Sequence, residues 1–330
     1  MNDATAKNAR QKRRAITGVL LLDKPAGISS TNALGRAKWL FRAEKGGHTG
    51  TLDPFATGLL PLCFGEATKF SRFMLDADKT YVATLKLGSR TLTGDTESEP
   101  FEDRAINVDL EKIHQTLRKF VGPQNQIPPM HSALKRDGVA LYKLARQGIE
   151  VEREPRAITI FAINFVSFDG VFLVIETKVS KGTYIRVLAE DIGEALGCGA
   201  HLTDLRRTAT AGYSVSDAIG LDALEALSEA DREQILKPAD TLCLALLRIV
   251  LNVPSSLALG HGRLVDIAPH SAGEYRIYSP TDQFLGVASV LAPAEKGVVG
   301  NADFVDTPPF TQLTPVRLMA NALQSSALPS

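Results

Sequence analysis

A reactive group is useful only where the backbone holds it. The densest such stretch in this 330-residue chain is Gly46-Gly47-His48-Thr49-Gly50-Thr51-Leu52-Asp53-Pro54-Phe55-Ala56-Thr57-Gly58. Its glycines allow positive φ or close approach of the backbone to a ligand. No Gly-Lys-Ser/Thr follows, so it is not a phosphate-cradling P-loop. Asp53 is its one carboxylate, fixed between an apolar residue and a proline. Taken alone, an Asp before Pro is more often a turn residue than a nucleophile. A second stretch, Ser180-Lys181-Gly182-Thr183-Tyr184-Ile185-Arg186, lies where a strand ends and a helix begins. The unpaired N–H groups of a helix start suit an anionic ligand. Arg186 has the charge to pair with a carboxylate, and Tyr184 offers a phenol as stacking surface or proton donor; the plainer reading is core for Tyr184 and a surface ion pair for Arg186. The third is Lys79-Thr80-Tyr81, with an aromatic leading a strand, a position usually spent on core packing.

The elements that must position these groups follow from periodicity. Gly18–Leu22 reads as a short buried strand, and Ser29-Ser30 as the N-cap of a helix running to about Phe41. Residues 43–58 read as a long loop, with a helix following around Ala67–Leu75. Thr80–Leu87 alternates, with Tyr81, Ala83, Leu85 and Leu87 on one face. Residues 89–103 form a polar, acidic loop, and Leu110, Ile113, Leu117 and Phe120 mark an amphipathic helix. Ile158–Phe168 and Val171–Ser180 are strands joined at Asp169-Gly170, a hairpin signal. Ile185, Leu188, Ile192 and Leu196 stripe a helix closed by Gly197. A short strand is expected near Leu202–Thr208, and a polar helical region over 223–238.

Strands and helices alternate without a strict βαβ order, so the fold class is α+β with a mixed, largely antiparallel sheet. Past Leu247 the texture changes to short strands and turns, the pattern of a small β-barrel. The expected organisation is a disordered basic arm over 1–14, a catalytic domain over 15–247, a barrel over 248–318 and a disordered tail over 319–330. On that reading a chain ending near Leu247 keeps the main sheet intact.

Composition excludes several classes. An apolar share of 44% and a charged share of 22% are ordinary for a soluble domain. No apolar run approaches the ~20 residues of a membrane span, and the polar, basic N-terminus argues against export. Cys63, Cys198 and Cys243 are far apart in the sequence, which argues against disulfides and zinc and for a reducing cytoplasm. Net charge is zero, yet Lys and Arg outnumber Asp and Glu over residues 1–75 and the reverse holds over 161–330. A basic end permits a polyanionic partner without demanding one.

These residues resemble those of the TruB-type tRNA pseudouridine synthases. The matching pieces are Leu21-Leu22-Asp23-Lys24-Pro25-x-Gly27-x-Ser29-Ser30 and the Gly47-to-Gly58 block. They continue with Lys79-x-Tyr81, Pro128-Pro129-Met130-x-Ser132-Ala133-Leu134-Lys135, Lys181-Gly182-Thr183-Tyr184-Ile185-Arg186 and Leu205-Arg206-Arg207. They follow the family's order over roughly residues 18–215. The resemblance implies a catalytic domain of pseudouridine-synthase type, a PUA-like RNA-binding barrel, and isomerisation of uridine 55 in the T-loop of tRNA. It implies Asp53 as nucleophile, Arg186 as its ion-pair partner and Tyr81 as the platform for a flipped uracil, with Tyr184 assisting removal of the C5 proton. His48 is expected to contact the RNA loop, Lys24 to support the loop or a phosphate, Leu205 to wall the pocket, and Arg206 and Arg207 to contact the RNA backbone. No metal, cofactor, guide RNA or obligate protein partner is expected. The competing class is a tRNA-binding or RNA-folding protein with secondary catalysis, which has no need of Asp53 together with Tyr81, Tyr184 and Arg186; a guide-dependent, dyskerin-type enzyme is a weaker option.

Overall fold

The computed structural model describes residues 12–291 and 310–320. Its main sheet has ten strands. The path runs Ile219–Gly220, Gly18–Lys24, Thr57–Phe64, Ala200–Thr210, Lys79–Leu87, Phe172–Val179, Arg156–Phe168 and Gly122–Gln126, with Gly46–His48 and Tyr213–Ser214 paired off it. Pairings are antiparallel except Gly18–Lys24 with Ile219–Gly220 and Thr57–Phe64 with Ala200–Thr210. The sheet is therefore mixed and largely antiparallel, as the pattern predicts.

Local chemistry accounts for several boundaries. Ser29 Oγ accepts from the Asn32 N–H at 3.1 Å and starts the helix Ser30–Leu40. Asp169 Oδ1 accepts from the N–H groups of Val171 and Phe172, closing the long hairpin. The helix Ile185–Leu196 ends on Gly197 at φ +86°, the left-handed geometry that a side chain resists.

Other expectations are corrected. The strand near Leu202–Thr208 is an eleven-residue strand, Ala200–Thr210, in the middle of the sheet. Register shifts at Leu202/Asp204 and Arg207/Ala209 break its alternation, which is why the pattern looks short. The supposed loop 43–58 contains the strand Gly46–His48, and the polar loop 89–103 contains the paired strands Ser89–Thr91 and Pro100–Asp103. Leu110 lies outside the apolar stripe, 52% exposed at the first position of its helix, while Ile113 and Leu117 are buried. Residues 223–238 hold the end of one short helix, Leu221–Ala226, and the whole of a second, Glu229–Gln234. Of the basic arm, residues 1–11 lie outside the described residues. Arg14 is held, its N–H donating to Arg42 O and its guanidinium pairing with Glu229 and Glu233. Residues 321–330 of the expected tail also lie outside the described residues.

The C-terminal strands form a curled, open half-barrel, ordered Leu247–Val250, Gly273–Tyr278, Phe284–Val290, Thr311–Leu318 and Val265–Ile267. A helix unread in the sequence, Val253–Gly260, lies within it, capped by Asn252. Two cores flank the main sheet. The larger gathers Leu20, Leu22, Leu60, Leu85, Ile175, Leu188 and Ile192 on one face. The second gathers Val19, Leu21, Leu59, Phe70, Met74 and Leu242 on the other, and it includes Val287 of the half-barrel. Phe284, Val316 and Met319 pack against it. The half-barrel thus shares a core with the main sheet, and a chain ending near Leu247 leaves that core open.

Candidate active site

Asp53 lies on the loop joining Gly46–His48 to Thr57–Phe64, and buried polar bonds hold this loop from below. Ser30 Oγ donates to Leu52 O at 2.9 Å and accepts from Leu52 N at 2.8 Å. Lys24 Nζ donates to the carbonyls of Pro25, Ile28 and Pro54 at 2.9, 2.8 and 3.3 Å. Arg207 donates to Leu59 O at 2.6 Å and to Thr51 O and Gly50 O at 3.4 Å. Gly58, at φ +100°, must be glycine. A Cβ there falls 2.3 Å from Arg207 O on the neighbouring strand.

Arg186 meets Asp53 from the first turn of its helix. Its Nε is 3.0 Å from Asp53 Oδ2, and its Nη1 is 3.5 Å from Asp95 Oδ2. Nη1 also donates to Thr93 O at 2.9 Å, and Nη2 to His131 O at 2.8 Å. The residue is 5% exposed, so one guanidinium ties two carboxylates and two carbonyls together in a low-dielectric setting. Burial pushes the Asp53 carboxyl above its ordinary 3.8, and the Arg186 charge pulls it back, keeping a reactive group within reach of ionisation.

Asp95 is the functional candidate that sequence reasoning missed. It is 1% exposed and accepts from Thr93 Oγ1 at 2.6 Å and Glu97 N at 2.9 Å. It sits in a stretch that reads as a solvated acidic loop. Its one local hint is Thr93 two residues upstream, a side-chain donor in a polar turn.

A cavity of about 220 Å³ opens over this pair, lined by Asp53, Tyr81, Tyr184, Arg186, Leu205 and Arg207, with Leu75 and Lys79 on one wall. Tyr81 and Leu205 belong to adjacent central strands, where Tyr81 pairs with Arg207 and Leu205 with Ala83. Tyr184 is held by its backbone, its N–H donating to Gln126 Oε1 at 2.8 Å. Burial pushes its phenol above the ordinary 10, so it stays protonated and suits donation better than proton removal.

A family model for the TruB family pseudouridylate synthase N-terminal domain matches residues 38–185, and one for the tRNA pseudouridylate synthase B C-terminal domain matches residues 186–255. The tRNA pseudouridine synthase B of Dechloromonas aromatica (strain RCB) is 54% identical over 266 residues, covering 81% of this chain and 89% of that protein. The chain belongs to the TruB family of tRNA pseudouridine synthases. The tRNA pseudouridine synthase B of Burkholderia mallei (strain ATCC 23344) is 49% identical over 302 residues, covering 88% of this chain and 97% of that protein. Among solved structures, a chain of a Cbf5-Nop10-Gar1 complex aligns with a TM-score of 0.68 at 24% identity, covering 92% of this chain and 86% of its own. At that identity the likeness is one of fold.

Not every residue that the TruB motifs single out is free to play the part expected of it. Lys24 is fully buried beneath the loop, where it braces carbonyls and has no surface for a phosphate. Burial lowers its pKa from 10.5 to about 8. Arg207 is 1% exposed and committed to carbonyls, so the expected RNA-backbone contact is replaced by a strut under the loop. Arg206 makes a two-pronged pair with Asp23 at 3.1 and 2.7 Å, joining two strands. That pairing competes with the RNA contact expected of it. His48 is outside the cavity lining. Burial and then the Arg207 charge lower its pKa below 6.5, so its ring is neutral at physiological pH. Its Nδ1 is buried without a partner among the described residues. Among the described residues there is no cluster of three or more His, Cys, Asp or Glu placed to hold a metal ion, and no helix long and apolar enough to cross a membrane.

Proposed function

We propose that this tRNA pseudouridine synthase acts on uridine 55 of the T-loop, in the cytoplasm, with Asp53 as its nucleophile and with no guide RNA or obligate protein partner. The observation that carries the reading is the Asp53–Arg186 pair at 3.0 Å in a cavity walled by Tyr81, Tyr184 and Leu205. A uracil inside a stacked loop is out of reach, so the base must be extruded into that cavity, where the Tyr81 ring receives its face. The Asp53 carboxylate attacks the sugar C1′ or the base C6, and the N1–C1′ bond breaks with its electron pair on N1. The freed uracil turns, C5 bonds to C1′, and the carboxylate leaves. N1 gains a proton and C5 loses one, so no oxidant or co-reactant is consumed. Among the lining residues Asp53 is the one carboxylate, and once expelled it is free to accept the C5 proton. His48, upstream of the cavity on the same segment, is positioned to fill space left in the RNA loop, and the PUA-like half-barrel is assigned a supporting RNA contact.

The test is tritium release from a C5-labelled tRNA transcript by the chain alone. Asp53→Asn should bind the transcript with near wild-type affinity and release no label, since an amide keeps the shape and loses the nucleophile. A transcript with cytidine at position 55 should be inert. Release by pure Asp53→Asn at a near wild-type rate refutes the assignment.

A further inference from the structure

One wall of the cavity depends on the C-terminal half-barrel. The segment Gly65–Phe70 and Arg72–Leu75 is a 3-10 turn followed by a four-residue helix. Pieces this short do not hold their shape alone and need tertiary packing. Ala67, Phe70 and Met74 bury one face in the second core, beside Val287 of the half-barrel. The Phe70 and Phe284 rings lie 5.2 Å apart. Lys69 Nζ donates to Leu318 O at 2.9 Å, the Ala320 N–H donates to Glu66 Oε2 at 2.6 Å, and Arg72 pairs with Glu274.

The same segment then becomes the cavity wall. Leu75 and Lys79 line the cavity, and Lys79 Nζ donates to Leu75 O at 2.8 Å and Ala77 O at 2.6 Å. Asp76, next to Leu75, pairs with Lys181 at 2.7 Å, tying this wall to the loop that presents Tyr184. Lys79 opens the strand that carries Tyr81. A continuous run of contacts therefore leads from Phe284 through Phe70 to the uracil platform.

We propose that the C-terminal half-barrel is a positioning element for catalysis, with Phe284 as its positioning residue: packed on Phe70, it fixes the Gly65–Leu75 segment and thereby the Leu75–Lys79 wall beside Tyr81. The inference rests on the catalytic reading of the Asp53 cavity. An element that serves only to grip RNA contributes to KM, because its contacts are equal in ground and transition states. An element that sets cavity geometry contributes to kcat, since a shift of ~1 Å at a reacting centre costs on the order of 100-fold.

The experiment is single-turnover pseudouridine formation at saturating tRNA, with affinity measured in parallel, using full-length Phe284→Ala, Phe284→Leu and Lys69→Gln chains. Phe284→Ala should lose about tenfold or more in rate with Kd within about twofold, and Phe284→Leu should recover most of it by refilling the contact. Lys69→Gln removes a rim bond without opening the core. It should lose rate by a few-fold in the same parameter, and it carries the test if Phe284→Ala does not fold. Unchanged rates in folded variants overturn the proposal. A loss confined to Kd also overturns it, leaving the half-barrel as an RNA grip. Asp53→Asn in the same assay separates the two readings, because full turnover there removes the catalytic assignment whatever the Phe284 variants do.

Discussion

Replacing Arg207 by Met tests whether this arginine is a strut or an RNA contact. The substitution removes a charged donor from Leu59 O at 2.6 Å and two longer contacts at 3.4 Å to Thr51 O and Gly50 O. The short bond is worth about 1.5–3 kcal/mol and the long ones together no more than about 1 kcal/mol. Against this stands relief from burying a guanidinium that has no carboxylate partner among the described residues. The net expectation is a loss of about 1–3 kcal/mol, or a Tm lower by roughly 1.5–4 °C for a chain of this size. The larger effect falls on the loop. Amides 50–53 should lose hydrogen-exchange protection, and turnover at saturating tRNA should drop on the order of 10- to 100-fold. The slope of log affinity against log salt should stay at the wild-type value, since no phosphate contact is lost. Loss of one phosphate contact would make that slope shallower by about 0.7–0.9. A shallower slope with an unaltered rate refutes the strut.

Turnover should fall on the acid side as Asp53 protonates, at a pH above the ordinary carboxylate value of 3.8 because burial raises its pKa. It should fall again as pH rises through about 8, where Lys24 and Lys79 deprotonate and their holds on the loop and cavity wall weaken. Because those two lysines have lowered pKa values, the unfolded chain holds more of their protons between about 8 and 10.5, so their contribution to stability rises with pH in that window. A basic limb that tracks thermal unfolding instead of rate contradicts this assignment. Tyr81→Phe keeps the ring and should retain most of the rate, whereas Tyr81→Leu should not; equal, near-native rates remove Tyr81 from the site. Gly58→Ala forces a Cβ into Arg207 O at 2.3 Å and should yield little folded protein, measured as soluble yield and Tm.

Much of this was legible because it is local. The glycines around Asp53, the Ser29 cap, the Asp169 turn and the alternation of Lys79–Leu87 each act over a few residues. What escaped is what the chain assembles at a distance. Asp95 is buried because Arg186 reaches it from another element, and nothing within residues 89–103 encodes that approach. Arg207 reads as an RNA-facing cation and Lys24 as a support for the loop or a phosphate, since sequence does not show that carbonyls of the folded loop will surround both. The half-barrel read as separable because the texture changes past Leu247 and every motif block lies before it, while the packing of Val287 beside Val19 leaves no local signature.

That shared core sets the order in which the protein can be finished during synthesis. Val19 and Leu21 leave the ribosome near the start, and Val287, Val316 and Met319, which cover the same face, leave near the end. At ~5–20 residues per second the gap lasts on the order of 15–60 s, during which one apolar face of the sheet stays partly uncovered. Every residue lining the Asp53 cavity has emerged well before that face is closed. A translation product cut short before Phe284 therefore carries the whole catalytic constellation on a sheet with an open back, a species fit for chaperone capture or proteolysis rather than a smaller working enzyme.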